Sequence, residues 1–281
     1  MEEKDTCSLY PLIKLPLYNH FQLAARYLTY FFTASSGRGH GVHSPYVFNF
    51  IQQVLNDRTP YTAYAPIEER RRQLQTNTRQ IEVEDFGAGS KVIRSNQRVI
   101  KDIAGSSLKP RKYAQLLYRM VRYYQPATVV ELGTSLGITS AYLASANPSA
   151  LVYTCEGSDA IATIAQETFS RLQLQNIRLL RGDFANTLPR LFTSVNQADF
   201  VFIDGNHRKV PTIDYFNRFL ASAGPNTIFV LDDIHWSAEM EAAWQTIQQN
   251  TAVTLTIDLF FIGVVLINPD FKVKQHFTIR Y

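Results

Sequence analysis

Short apolar runs that lack polar alternation, each closing on an acid, recur through the second half of the chain. One ends at Glu131. Residues 151–155 (Leu-Val-Tyr-Thr-Cys) run into Glu156, and residues 177–181 (Ile-Arg-Leu-Leu-Arg) into Gly182-Asp183-Phe184. Residues 199–203 (Asp-Phe-Val-Phe-Ile) lead to Asp204-Gly205-Asn206-His207, and residues 227–231 (Thr-Ile-Phe-Val-Leu) to Asp232-Asp233. Runs of this kind are strands buried on both faces, as in a parallel sheet. Helical spacing fills the gaps, for example at Ile161, Ile164, Ala165, Thr168, Phe169 and Leu172. The pattern predicts an α/β fold of the Rossmann-like kind, with carboxylates gathered along one sheet edge. Residues 253–259 alternate and residues 260–267 are continuously apolar, which gives a sixth strand and an antiparallel seventh beside the fifth. Residues 277–281 are a candidate edge strand.

The front of the chain reads differently. Aromatic residues recur at roughly helical spacing over 17–34 (Tyr18, Phe21, Tyr27, Tyr30, Phe31, Phe32). Residues 37–45 are a loop by their glycines and proline, and His40 and His43 within it are candidate lid residues. Residues 46–55 form a helix capped by Ser44, with Pro45 at its first position. Helical patterns cover 66–80 and 96–104, with an irregular stretch at 82–90. Ser107 is expected to cap a helix through Tyr113, Leu116, Leu117, Met120 and Val121 to Pro126. Residues 1–105 therefore read as a helical N-terminal extension or lid, and residues 106–281 as the ligand-binding domain. The aromatic stripe is short of lysine, so packing on the domain or on a homodimer partner is expected over a membrane surface.

The turn after the first strand carries the chemistry. Glu131-Leu-Gly133-Thr-Ser-Leu-Gly137 closes the strand and opens a helix, which brings backbone N–H groups to a ligand at the C-terminal edge of the sheet. Its Gly-x-x-x-Gly spacing differs from the Gly-x-Gly-x-x-Gly of nicotinamide enzymes, which sets a dehydrogenase aside. The turn resembles motif I of the class I S-adenosylmethionine (SAM) methyltransferases. The resemblance implies cofactor contacts from Glu131, Gly133, Thr134, Ser135, Gly137 and Thr139. It implies ribose recognition by Glu156 with Gly157, adenine-side contacts from Asp183 and Phe184, and an active-site acid at Asp204. Another glycine-rich stretch, Asp85-Phe-Gly-Ala-Gly-Ser90, follows a run too charged for a buried strand and reads as a loop that could close over the ligand.

Composition narrows the class. Two cysteines, Cys7 and Cys155, offer neither a disulfide framework nor a zinc pattern, no apolar stretch is long enough to span a bilayer, and the first residues lack the form of a signal peptide. A cytoplasmic enzyme is expected. The net charge of +4 is uneven, with a surplus of +6 over residues 1–112 that includes Arg70, Arg71 and Arg72. Such a front could attract nucleic acid, but Glu68 and Glu69 favour a solvated helix face laced by i, i+3 and i, i+4 pairs.

Catalytic residues are expected beyond the fourth and fifth strands. His207 lies three residues past Asp204, and an imidazole can take a proton near neutrality. The spacing resembles that of catechol O-methyltransferase-like enzymes, which have a metal-binding Asp, a basic residue three positions on, and an Asp-Asn pair after the next strand. Carried over, His207 and Asp204 are catalytic, and Asp204, Asp232 and Asp233 are metal ligands. Two departures stand out: His207 replaces a lysine and Asp233 replaces an asparagine. Crowded carboxylates repel unless a cation relieves them, which makes Mg²⁺ a candidate. The alternative is that Asp204 touches only SAM or the acceptor while Asp233 caps the next helix. Past Asp233, His235 and Trp236 are expected over the pocket. The whole chain is similar to SAM methyltransferases of Bacteroidetes-type bacteria that have no assigned substrate. The resulting expectation is methyl transfer to the hydroxyl of a small-molecule acceptor. An RNA methyltransferase using the basic front and a non-catalytic SAM-binding module are the alternatives.

Overall fold

The computed structural model describes residues 17–85 and 94–281. The front contains α1 (His20–Thr33), α2 (Pro45–Phe50), α3 (Tyr64–Gln75), β1 (Gln80–Asp85), β2 (Arg94–Val99), α4 (Ile100–Ser107) and α5 (Arg111–Tyr124). An alternating series follows: β3 (Thr128–Leu132), α6 (Ile138–Ala146), β4 (Leu151–Glu156), α7 (Asp159–Arg171), β5 (Ile177–Arg181), α8 (Phe184–Ser194), β6 (Phe200–Ile203), α9 (Lys209–Leu220), β7 (Ile228–Asp232) and α10 (Ala238–Gln249). The chain closes with β8 (Leu255–Asp258), β9 (Ile262–Leu266) and β10 (Gln275–Thr278).

Successive side chains of a strand point to opposite faces, and here they feed two cores. Val129, Phe200, Phe202, Ile228 and Val230 pack on one side with α2 to α6. Val130, Val201, Ile203, Phe229 and Leu231 pack on the other with α8, α9 and α10. Both faces are covered, which is why these strands carry no polar alternation. The main sheet has eight strands in the order β10-β8-β9-β7-β6-β3-β4-β5. It is an α/β Rossmann-like fold. The seven strands expected from the sequence become eight because Gln275–Thr278 pairs in parallel with β8. β9 runs antiparallel between β7 and β8. The strand order reverses between β3 and β6, and in open parallel sheets that switch point is where a ligand crevice forms.

The front departs from its sequence reading in three places. Gln80–Asp85 and Arg94–Val99 pair as an antiparallel hairpin, where helical and irregular segments were expected. Ile81 and Val83 turn one side of the ribbon to the core while Glu82 faces out, so its charge does not forbid a strand. The glycine-rich residues between its strands lie outside the described residues, as does Cys7. Ser107 ends α4 instead of capping α5, whose N-cap is Pro110. Elsewhere the reading matches: Ser44 caps α2 with Pro45 at the first position, and a single π-helical turn, Ile51–Leu55, follows.

The front helices are welded to the sheet. Val47, Phe50, Ile67, Leu74, Ile100 and Ile103 share one continuous core with α5 and the strands. α5 presents Tyr113, Leu116, Leu117, Met120 and Val121 on one stripe, the spacing that buries an amphipathic helix. α1 docks through Tyr27 and Tyr30 on Phe260 and leaves Phe21, Leu28 and Phe32 exposed. Arg70 and Arg71 are buried, contrary to the solvated face expected of the arginine run. Arg70 Nε donates to Thr168 Oγ1 at 3.1 Å, and only Arg72, paired with Glu69, faces solvent. No helix of the described residues is long and apolar enough to cross a membrane.

Candidate functional site

A cleft of ≈ 550 Å³ opens at the switch point, lined by the β3, β4, β6 and β7 ends and roofed by the α4–α5 link. The backbone makes it possible. Gly133 has φ +106°, and a Cβ there would stand 2.1 Å from the carbonyl oxygen of Asp204, so no other residue lets the β3 and β6 ends come this close. Gly137 (φ +81°) caps α6, and a Cβ on it would strike the Phe169 ring at 2.7 Å. The turn between them is pinned from below, with the N–H groups of Gly133 and Thr134 donating to Cys155 O at 3.0 and 3.1 Å.

Glu156 sits at the mouth of this turn. Its carboxylate accepts from Ser135 N at 2.8 Å and from Ser158 N at 3.0 Å, which ties the glycine turn to the start of α7. Burial raises its pKa, while these N–H bonds, together with that of Gly157, pull it back. A carboxylate offers about four lone-pair directions, so these N–H groups do not exhaust it. Ser135, at φ 50°, shares a 2.8 Å hydrogen bond with Ser107 Oγ and so links the turn to the roof.

Several residues expected to touch a cofactor stand behind the cleft wall. Glu131 is fully buried and absent from the lining; its carboxyl accepts from Ser140 Oγ and, at 2.6 Å, from Thr154 Oγ1. Thr134 bonds Thr154 at 2.6 Å, and Thr134 and Thr139 are buried. Asp183 caps α8, accepting from Asn186 N at 2.8 Å, and Phe184 packs edge-on against Tyr215. Gly133, Ser135, Glu156 and Asp204 belong to the lining, and Gly137 and Gly157 do not.

Burial drives the Glu131 pKa from 4.5 up to about 8, with the hydroxyl donors of Ser140 and Thr154 opposing the rise. The folded chain therefore holds a proton that the unfolded chain releases. This contribution to stability is greatest below pH 4.5 and declines as the pH rises through about 8. Glu131→Gln is expected to flatten that decline, and the variant should overtake the wild type in thermal melts on the alkaline side. A variant whose pH profile parallels the wild type would place the proton elsewhere.

Opposite Glu156, the β6 and β7 ends bring four predicted residues together. His207 Nε2 lies 3.4 Å from Asp204 Oδ1, and its Nδ1 lies 4.0 Å from Asp233 Oδ2. Asn206, His207 and Asp233 all adopt positive φ (65°, 34° and 54°), a concentration of backbone strain of the kind found at functional edges. Asp233 does not cap α10; Ser237 does, accepting from Met240 N at 3.1 Å. Trp236 lines the cleft with Tyr113 and Phe261. His235 turns away from it, against Glu241 (3.1 Å) and Asp258 (2.7 Å). His40 and His43 are exposed and outside the lining.

Lys109, which the sequence did not single out, is the centre of this cluster. Its ammonium lies 3.3 Å from Asp204 Oδ2 and in direct contact with Asp232 Oδ2. Burial lowers its pKa, but the charges of Asp204, Asp232 and Asp233 outweigh burial and hold it above the ordinary lysine value. Burial, then the Asp204 charge, raises Asp232, and Lys109 counteracts both. Asp233 is raised by burial and by Asp232. Asp204, His207 and Asp232 each bring a ligand atom within 4.8 Å of the others, a spacing that could hold a metal. Asp233 stands outside that group, and the Lys109 ammonium already bonds two of its three members. With that cation in place, the residues do not fit Mg²⁺.

Residues 130–234 match the family model described as a methyltransferase domain. The match starts in β3 and ends just past β7, so it holds all five acid-closed strands. Among solved structures, the chain resembles the SAH-bound methyltransferase PaMTH1 of Podospora anserina at 13% identity (TM-score 0.56, covering 90% of this chain and 98% of that one). It also resembles the O-methyltransferase of Bacillus cereus in complex with SAH at 17% identity (TM-score 0.51, 79% and 97% covered). A third likeness is to the O-methyltransferase TomG of Streptomyces achromogenes, involved in tomaymycin synthesis and in complex with SAM, at 20% identity (TM-score 0.50, 58% and 82% covered). At these identities the likeness is one of fold. No curated protein matches the chain significantly.

Proposed function

We propose that the domain transfers a methyl group from SAM to the hydroxyl of a small-molecule acceptor. One observation carries the reading: Gly133 and Ser135 of the glycine turn, Glu156, and the pair of His207 with Asp204 line the same cleft. The Bacillus and Streptomyces proteins, both O-methyltransferases, support the choice of oxygen. SAM supplies a sulfonium methyl: a bond from the acceptor oxygen to that carbon forms as the carbon–sulfur bond breaks, and the electron pair leaves on sulfur as S-adenosylhomocysteine (SAH).

The chain's own residues orient and deprotonate. Glu156 binds ribose hydroxyls, while Gly133, lacking a Cβ, lets the β3 and β6 ends close on one another at the cleft. His207 Nε2 takes the acceptor proton, and Asp204, at 3.4 Å, stabilises the imidazolium that forms. Tyr113, Phe261 and Trp236 give the acceptor an aromatic wall. Of residues 1–105, the described part acts as an extension that braces this site, since Arg71 donates to the Lys109 carbonyl at 2.8 Å and Gly105 joins the roof. An RNA acceptor is disfavoured because Arg70 and Arg71, the heart of the basic front, are turned inward.

Glu156→Ala should weaken SAM binding by roughly 2–3 kcal/mol, the scale of a charge-assisted hydrogen-bond pair. Titration calorimetry on both proteins reads it, and equal affinities would remove Glu156 from the cofactor site. The acceptor class is tested by incubating the protein and methyl-labelled SAM with phenols, sugars and RNA. Label on a small-molecule oxygen is expected, and label on RNA alone would contradict the reading.

A further inference from the structure

We propose that the Lys109 ammonium is the resident cation of the acceptor site, standing where a divalent ion would otherwise sit. On this proposal the enzyme works without a metal, on an acceptor with one acidic hydroxyl of the phenol kind instead of a chelating pair. The inference deepens the methyltransferase reading and rests on it.

Position is the first ground. Among the described residues, Asp204, His207 and Asp232 are the group with the spacing of a metal site, and Lys109 Nζ bonds two of its members. A divalent ion entering there would have to displace the ammonium from both carboxylates.

Construction is the second ground. Lys109 is not a surface side chain that has folded back: only 9% of it is exposed. Its carbonyl is clamped by Arg71 Nη1 at 2.8 Å, and Arg71 is itself buried and held by Glu68 at 3.0 Å. Glu68 in turn accepts from Tyr142 OH of α6 at 2.7 Å. The next residue, Pro110, is the N-cap of α5. The lysine is thus delivered to the β6 and β7 ends by a chain of contacts that runs through α3, α6 and the start of α5.

Charge gives the substrate class. The ammonium donates to Asp232 and lies 3.3 Å from Asp204 as an ion pair. Held there, it is a single positive charge, which favours one developing oxyanion beside it. A divalent ion, by contrast, has room for two neighbouring oxygens of a chelating diol. Tyr113, Phe261 and Trp236 along the same cleft suit a flat aromatic body.

The test titrates Mn²⁺ into the full-length protein and follows the free ion by electron paramagnetic resonance, with SAH calorimetry run alongside. Wild type is expected to leave the Mn²⁺ signal undiminished at millimolar concentration, and its SAH affinity should be insensitive to EDTA. Lys109→Ala is expected to bind Mn²⁺ stoichiometrically, with the binding lost again when Asp204→Asn is added. Stoichiometric Mn²⁺ binding by wild type that disappears in Asp204→Asn would overturn the proposal. So would a folded Lys109→Ala that binds none. If Lys109→Ala does not fold, the wild-type titration decides alone. Failure of SAH to bind wild type would instead remove the methyltransferase reading, whatever the Mn²⁺ signal shows.

Discussion

Lys109→Ala is expected to lower folding stability by about 3–5 kcal/mol, the cost of leaving one side of a buried ion pair uncompensated. Asp232 is 2% exposed, and its second oxygen, Oδ1, has no partner, so the lysine is its main electrostatic support. Asp204 and Asp232 would be left as adjacent acids with one of them out of reach of water, and the pair would take up a proton. The loss should therefore be larger at alkaline pH than near pH 5, where protonation relieves the repulsion. Chemical denaturation of wild type, Lys109→Ala and Lys109→Ala/Asp232→Asn separates charge from packing. The double variant should recover most of the loss. A single variant within about 1 kcal/mol of wild type, the scale of a surface pair, would mean that these carboxylates are solvated and the cluster is not an electrostatic unit.

The second large effect is kinetic. His207→Ala should reduce turnover by about 10²–10⁴-fold, the usual contribution of a positioned general base, with SAM affinity unchanged. The separation follows from placement: His207 and Asp204 come from the β6 end of the cleft, while Glu156 comes from the β4 end. The loss should shrink as the pH rises toward the acceptor's own pKa, since an acceptor that ionises unaided no longer needs the imidazole. Steady-state rates against pH for both proteins provide the measurement. Equal rates would show that the acceptor loses its proton elsewhere.

Much of this site was legible in the chain because a parallel sheet writes itself as apolar runs, and the residue after each run must lie on the carboxyl edge. That rule alone put Glu156, Asp204, His207 and Asp232 at one edge. It also overreached. Glu131 follows the same pattern, yet as a residue within β3 its side chain points into the sheet's surroundings, toward Ser140 and Thr154, while the crevice opens one step later at Gly133. Lys109 was not legible, since a Leu-Lys-Pro link has no periodicity and its placement depends on Arg71, far away in sequence. A clue did exist: a cluster of acids calls for a cation, and an internal lysine answers that need as well as a metal does. The β1–β2 hairpin was missed for a different reason. Its alternation of Ile81 and Val83 with Glu82 and Glu84 is the mark of a half-buried strand, unlike the continuous apolar runs of the main sheet, outside which this ribbon stands.

The account turns on one claim, that the cleft over Gly133 binds SAM. Titration calorimetry of SAM and SAH into the full-length protein tests it most directly. Saturable one-to-one binding in the micromolar range, weakened in Glu156→Ala and unaffected by EDTA, is the predicted result. An absence of binding by the folded wild-type protein would contradict it.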